Sequence, residues 1–182
     1  TSVVLARDAM EEMTVKPPKT DFRWRLVYPI HYYDYAKEFA LDNNPVLLLS
    51  IIKEESHFDP KATSGVGAKG LMQLMPQTAS EVKNAYGIAS SDPNYLYNPK
   101  INVQLGSLYF SKLKKINDGS EFYAVLSYNG GLGMVKSWRN KLTYQDRDDF
   151  LEQVPYPETQ DYLKKVYRAY WNYARIYGSE NE

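Results

Sequence analysis

Glu55 closes the run Pro45-Val-Leu-Leu-Leu-Ser-Ile-Ile-Lys-Glu-Glu-Ser56, and that position suits an acid set aside for proton transfer. At about 100° per residue, Leu48, Ile51 and Ile52 fall within about 60° of Glu55 around a helix, Glu54 about 100° away and Lys53 nearly opposite. Glu54 is expected to reach water at the helix flank. Glu55 points toward the core, where desolvation favours the protonated form. The carbonyl end of the helix also disfavours a negative charge there. A carboxylic acid kept protonated near neutral pH donates protons in catalysis. The helix alone equally admits a buried glutamate that simply bonds an arginine or a backbone amide.

Glycosidic bonds are usually cleaved by two carboxylates, an acid and a base or nucleophile, about 5 Å apart in retaining enzymes. Here the acid has a candidate and the partner does not. Asp59, Glu152, Glu158 and Asp161 lie on no apolar face comparable to that of Glu55, so a single-acid mechanism enters consideration. Glycines 65, 67 and 70, with Asp59-Pro60, make residues 57–75 a glycine-rich loop directly after the acid. No Lys-Ser/Thr follows these glycines and no strand precedes them, which argues against a phosphate cradle. Ser64 has no histidine in a nucleophile-elbow arrangement. With His31 and His57 as the only histidines and no cysteine, disulfides, thiolate chemistry and a His-rich metal cluster are excluded, and no metal or cofactor is expected.

The elements that must position Glu55 read as helices. Residues 2–13 form a short amphipathic pattern ended by Lys16-Pro-Pro-Lys19. After a linker to about Arg25, residues 28–40 predict a helix with Tyr32, Tyr35, Ala36 and Phe39 on one face, broken by Asp42-Asn-Asn-Pro45. Pro45 suits the first turn of the Glu55 helix. Further helices are predicted from Pro76 to about Tyr86, over residues 101–116 with Leu105, Leu108, Tyr109 and Leu113 inward, and from Glu121 behind a Ser120 cap to a stop at Asn129-Gly-Gly131. Another runs from Gly133 to about Lys141. The last spans residues 158–177, where Tyr162, Val166, Tyr170, Tyr173 and Tyr177 form a stripe read as packing. No segment sustains period-2 alternation, so the fold class is mainly α.

At 182 residues the chain fits one domain with a small extension. Its 22 basic and 22 acidic residues cancel, which gives no argument for nucleic acid or an anionic membrane as partner. No stretch reaches the roughly 18 apolar residues of a membrane span. Seventeen tyrosines and three tryptophans supply rings suited to stacking on sugars, although a tyrosine is also an ordinary half-buried core residue.

Three ordered blocks carry a resemblance: Glu55-Ser-His-Phe-Asp-Pro60, then Ser64-Gly-Val-Gly-Ala-Lys-Gly-Leu-Met-Gln-Leu-Met-Pro76, then Leu126-Ser-Tyr-Asn-Gly-Gly131. With Asn98-Pro-Lys-Ile-Asn102 and Val154-Pro-Tyr-Pro-Glu-Thr-Gln-Asp-Tyr162, residues 28–175 resemble the catalytic domain of soluble lytic transglycosylases. The resemblance implies a lysozyme-like helical domain with a glycine-rich loop after the catalytic helix. It implies a catalytic unit over residues 28–182, with residues 1–27 as a helix and linker at the end of an upstream helical region. The implied activity is non-hydrolytic cleavage of the β-1,4 bond between N-acetylmuramic acid and N-acetylglucosamine in peptidoglycan, giving a 1,6-anhydro-muramoyl product. A hydrolytic muramidase of the same fold and a non-catalytic glycan-binding module are the alternatives.

Matched motif by motif, the resemblance makes Glu55 the acid and base. Ser64 would contact substrate near the acid, Gln73 and Met75 would line the sugar groove, and Gly70 would let backbone approach the saccharide. Tyr128 would place its hydroxyl near Glu55 beside Asn129, and Glu158 would bind sugar from the opposite wall. Two arginines common in the family are replaced here by Met134 and Gln160. The implied partner is the peptidoglycan glycan strand, met by a monomer in the periplasm or cell envelope.

Overall fold

The computed structural model describes residues 2–11, 17–18 and 21–178. Ten α-helices carry these residues: α1 (Ser2–Glu11), α2 (Arg23–Val27), α3 (Tyr33–Glu38), α4 (Pro45–Ser56), α5 (Pro76–Ala85), α6 (Pro99–Ile116), α7 (Glu121–Gly130), α8 (Leu132–Lys141), α9 (Arg147–Gln153) and α10 (Pro157–Tyr177). Among the described residues no strand forms. Two isolated antiparallel bridges, Thr63 to Lys69 and Lys69 to Leu74, fold the loop after α4 on itself.

Helix α4 is the axis of the molecule. Its Asn44 cap accepts from the Val46 amide and Pro45 opens its first turn, so three successive residues define its start. Leu47, Leu48, Leu49, Ile51 and Ile52 are all buried, which is the pattern of a helix enclosed on every side. The long helix α10 packs most extensively against it, and α3 closes a further face. Val166, Ala169 and Tyr173 are the buried α10 side of this contact. A smaller apolar cluster of Leu74, Ala79, Val82, Leu96, Leu105 and Leu108 supports the loop from beneath, between α5 and α6.

Several expected boundaries shift. The helix predicted over residues 28–40 survives only as α3, because Pro29 has no N–H to donate and Tyr32 sits at φ 62°, a left-handed conformation that no helix can pass through. The stretch read as a linker holds α2, and α9 was not anticipated; its cap is Asp146, which accepts from the amides of Asp148 and Asp149. Helix α1 ends at Glu11, and the remainder of the predicted residues 2–13 lies outside the described residues. Ser120 caps α7 as expected, and Gly131 at φ 85° ends it.

Candidate active site

The enclosure of α4 decides how its two adjacent glutamates differ. Glu54 is far more enclosed than expected: its side chain is 12% exposed and lies 2.8 Å from the ammonium of Lys53, itself 7% exposed. A helical wheel assumes one dry face and one wet one, but here α2, α10 and their neighbours cover the polar side as well. Lys53 also stands 5.0 Å from the centre of the Tyr28 ring, whose face stabilises a desolvated cation.

Glu55 has no such counter-charge. Burial pushes its carboxyl up to about 7 against a bonding hydroxyl that pulls it down, and the nearby charge of Glu54 pushes it up a little further. The hydroxyl belongs to Tyr162 on α10, which donates to Glu55 Oε1 at 2.6 Å. Tyr162 is itself held well above the usual phenol range by burial, so it remains a donor. A group that titrates near 7 is available both as an acid and, after giving up its proton, as a base.

Tyr128, expected to place its hydroxyl near Glu55, makes its hydrogen bond to the loop. Its hydroxyl donates to the Met72 carbonyl at 2.7 Å, although the Glu55 carboxyl is close enough to help push the phenol upward. Tyr128 therefore braces the loop beside the acid. The residue bonded to Glu55, Tyr162, went unassigned because periodicity counted it within the packing stripe of α10. Periodicity reports which way a ring points and is silent about where its hydroxyl lands.

The loop is held by its own polar groups. Ser64 Oγ accepts from the Ala68 amide at 3.0 Å, and Gln73 Nε2 donates to the carbonyls of Gly70 and Ala62 at 2.9 and 3.2 Å. Gln73 adopts φ 45°, so its backbone turns the chain while its amide ties that turn down. Gly70 is buried at φ 78°, and a Cβ there would collide with the Leu96 carbonyl and the Asn102 amide. The space that glycine leaves in the Cβ direction is filled by this protein's own groups, so packing alone already requires a glycine there. Met75, 42% exposed at the end of the loop, is open to a ligand.

Asn102, which closes one of the resembling segments, is the second residue to which the sequence assigns no role. Fully buried on α6, it accepts from the Met72 amide at 2.7 Å and donates to the carbonyls of Lys69 and Leu96 at 2.9 and 2.8 Å. A polar residue among the inward positions of an amphipathic helix was the available signal, since such a group must find partners. On the far side, Asn129 and Glu158 meet in an open cleft of about 300 Å³ with Tyr156 and Thr159. Thr159 donates to Asn129 Oδ1 at 2.8 Å, tying the end of α7 to the start of α10. Gln160 donates to the Val154 and Glu152 carbonyls and is occupied within the fold. Among the described residues no three His, Cys, Asp or Glu side chains gather to hold a metal ion.

An all-helical domain built round a central helix, with a buried carboxylic acid that no cation meets beside a braced glycine loop, is of the lysozyme-like class. Residues 35–151 match the Transglycosylase SLT domain, and the chain belongs to that family. It is 32% identical over 152 residues to the soluble lytic murein transglycosylase of Escherichia coli K12, covering 80% of this chain and 24% of that protein. It is 32% identical over 166 residues to the membrane-bound lytic murein transglycosylase C of Actinobacillus pleuropneumoniae serotype 5b, covering 78% of this chain and 44% of that one. An inactive mutant of the lytic transglycosylase Slt from Pseudomonas aeruginosa superposes with a TM-score of 0.83 at 26% identity, over 98% of this chain and 30% of the other. The 70-kDa soluble lytic transglycosylase of Escherichia coli gives 0.81 at 29% identity, over 86% of this chain and 26% of the other. The chain thus spans less than half the length of each of these relatives.

Proposed function

We propose that this chain is a peptidoglycan lytic transglycosylase domain in which Glu55 is first the acid and then the base, and that residues 28–182 form the catalytic unit. The observation that carries the reading is a buried carboxyl with no counter-charge, pushed up to about 7 and bonded by the Tyr162 hydroxyl. Among the described residues, the acid whose charge reaches Glu55 is Glu54, and Lys53 engages it.

In the first step protonated Glu55 gives its proton to the glycosidic oxygen as the bond to C1 of the muramoyl sugar breaks, and the N-acetylglucosamine leaves with its hydroxyl restored. The substrate's own acetamido group stabilises the positive charge that develops at C1. In the second step the C6 hydroxyl of the same sugar attacks C1 and returns its proton to the Glu55 carboxylate, closing the 1,6-anhydro ring. An attacking group tethered in the same ring competes effectively with water once oriented. A second catalytic carboxylate is not required. The relatives named as murein transglycosylases and a solved complex of the Escherichia coli enzyme with bulgecin A support a cell-wall glycan as the ligand, met in the bacterial envelope. Met75, Asn129 and Glu158 are the exposed groups assigned to the glycan, and Ser64, Gly70, Gln73 and Tyr128 shape the loop that faces it.

Mass spectrometry of digested peptidoglycan is the test. Muramoyl ends lighter than the hydrolysis product by one water are expected, and reducing muramic ends would assign the chain to the muramidases instead. Glu55→Gln preserves shape and removes the transferable proton, so its product formation should fall about a thousandfold. Undiminished release by that variant would remove Glu55 from the reaction.

A further inference from the structure

Beside the last turn of α4, two cavities of about 510 and 100 Å³ open side by side between α1, α2 and α10. They share Arg7, Val27, Tyr28 and Arg168 as walls and so adjoin along one surface. The described side chains around them include four cations, Arg7, Lys53, Lys165 and Arg168, and one acid, Glu54. Glu54 is engaged by Lys53 at 2.8 Å, and Arg7 bonds Asp8 of its own helix at 2.8 Å.

Arg168 faces both cavities and Lys165, one turn before it on α10, faces the smaller, and neither has an ion-pair partner among the described residues. Like charges at that spacing repel. A fork of guanidinium donors beside an ammonium suits a pair of anionic oxygens. Asn172, a further turn along, is already committed: its amide donates to the Tyr28 hydroxyl and to the Arg168 carbonyl, which fixes the cavity wall in place. The cavity that both cations line is small, about 100 Å³, and Arg168 continues into the adjoining one of about 510 Å³, which lies within the range that holds small ligands.

We propose that Lys165 and Arg168 form a binding site for a small polyanion, one carrying two carboxylates or a phosphate group, distinct from the Glu55 site. Tyr162 precedes Lys165 by one turn, so the helix that holds the anion also holds the catalytic carboxyl. Two sources supply such chemistry: the free carboxylates of a peptidoglycan stem peptide, a source that rests on the function proposed above, and phosphate compounds, which do not.

Titration calorimetry on the full chain, with pyrophosphate in one arm and a synthetic stem peptide bearing two free carboxylates in the other, separates the sources. Saturable binding with a Kd tighter than about 1 mM is expected in at least one arm. Lys165→Gln and Arg168→Gln are exposed substitutions that leave the core intact, and each should weaken binding about tenfold. Binding of pyrophosphate alone identifies a phosphate site, binding of the peptide alone a carboxylate site, and both support the shared chemistry. Absence of saturation in both arms, or saturation indifferent to the two substitutions, overturns the proposal. Repeating the titration on Glu55→Gln keeps the result independent of turnover, so failure to digest peptidoglycan and failure to bind the anion are read separately.

Discussion

The two faces of α4 treat adjacent glutamates in opposite ways. On the rear face Glu54 is nearly as enclosed as its neighbour but faces an ammonium at 2.8 Å, so its charge is met at once. On the front face Glu55 meets a neutral hydroxyl at 2.6 Å. Burial is common to both, and the partner decides the outcome: a counter-charge makes a structural ion pair, whereas a neutral donor leaves an acid that titrates near 7. The difference also separates what stabilises the fold from what strains it. A carboxyl raised by burial is a stability deficit that the fold carries for its chemistry.

Replacing that carboxyl gives the largest expected effect. Glu55 rises from 4.5 to about 7 on folding, so between those values the folded chain binds more protons than the unfolded one and stability falls as pH increases. Below 4.5 both states are protonated and the deficit vanishes; above about 7 it is complete. Glu55→Gln should therefore unfold at higher denaturant concentration than the wild type at pH 8, by roughly 3 kcal/mol, with the gap closing toward pH 4. Denaturant midpoints at the two pH values measure it. Equal gaps at both would mean that Glu55 ionises freely in the folded chain, and the contrast between the faces would collapse.

How much of this was legible depends on whether a feature is periodic. The α4 run, its Pro45 start, the Ser120 cap and the glycine stop after α7 follow from local rules, and the structure has them. Glu55 was readable because an acid on an apolar face breaks a pattern. The burial of Lys53 and Glu54 was not, since a single helix cannot announce that others will cover its polar side. Tyr162 and Asn102 act through one hydroxyl and one amide whose partners lie 107 and 30 residues away in the chain, and no periodicity encodes a hydrogen bond at that range. The same limit holds for Gly70, where the close approach of Leu96 and Asn102 could not be read from the sequence.

Removing the neutral partner sharpens the front face. Tyr162→Phe deletes the hydroxyl that favours the Glu55 carboxylate, so the acid should hold its proton to higher pH and the alkaline limb of the pH and rate profile should move upward. The maximal rate should fall about tenfold, because the carboxyl loses the bond that aims it. A profile unmoved by the substitution would make Tyr162 a packing residue.

The smallest effect tests whether the rear face reaches the front at all. Glu54 pushes Glu55 upward, more weakly than burial or the Tyr162 bond act, so withdrawing its charge should move the alkaline limb down, opposite in sign to Tyr162→Phe and smaller. Glu54→Gln keeps an oxygen for the Lys53 ammonium but leaves that cation buried without a counter-charge, which destabilises the fold. A second variant removes this complication: Lys53→Met with Glu54→Leu replaces the pair by apolar side chains of similar size, a change that buried ion pairs often tolerate without loss. Both variants withdraw the same negative charge from beside Glu55. If their limbs move down together, the charge of Glu54 is felt across the helix; if only the single variant shifts, the movement reports local loosening, and the two faces of α4 are electrostatically independent.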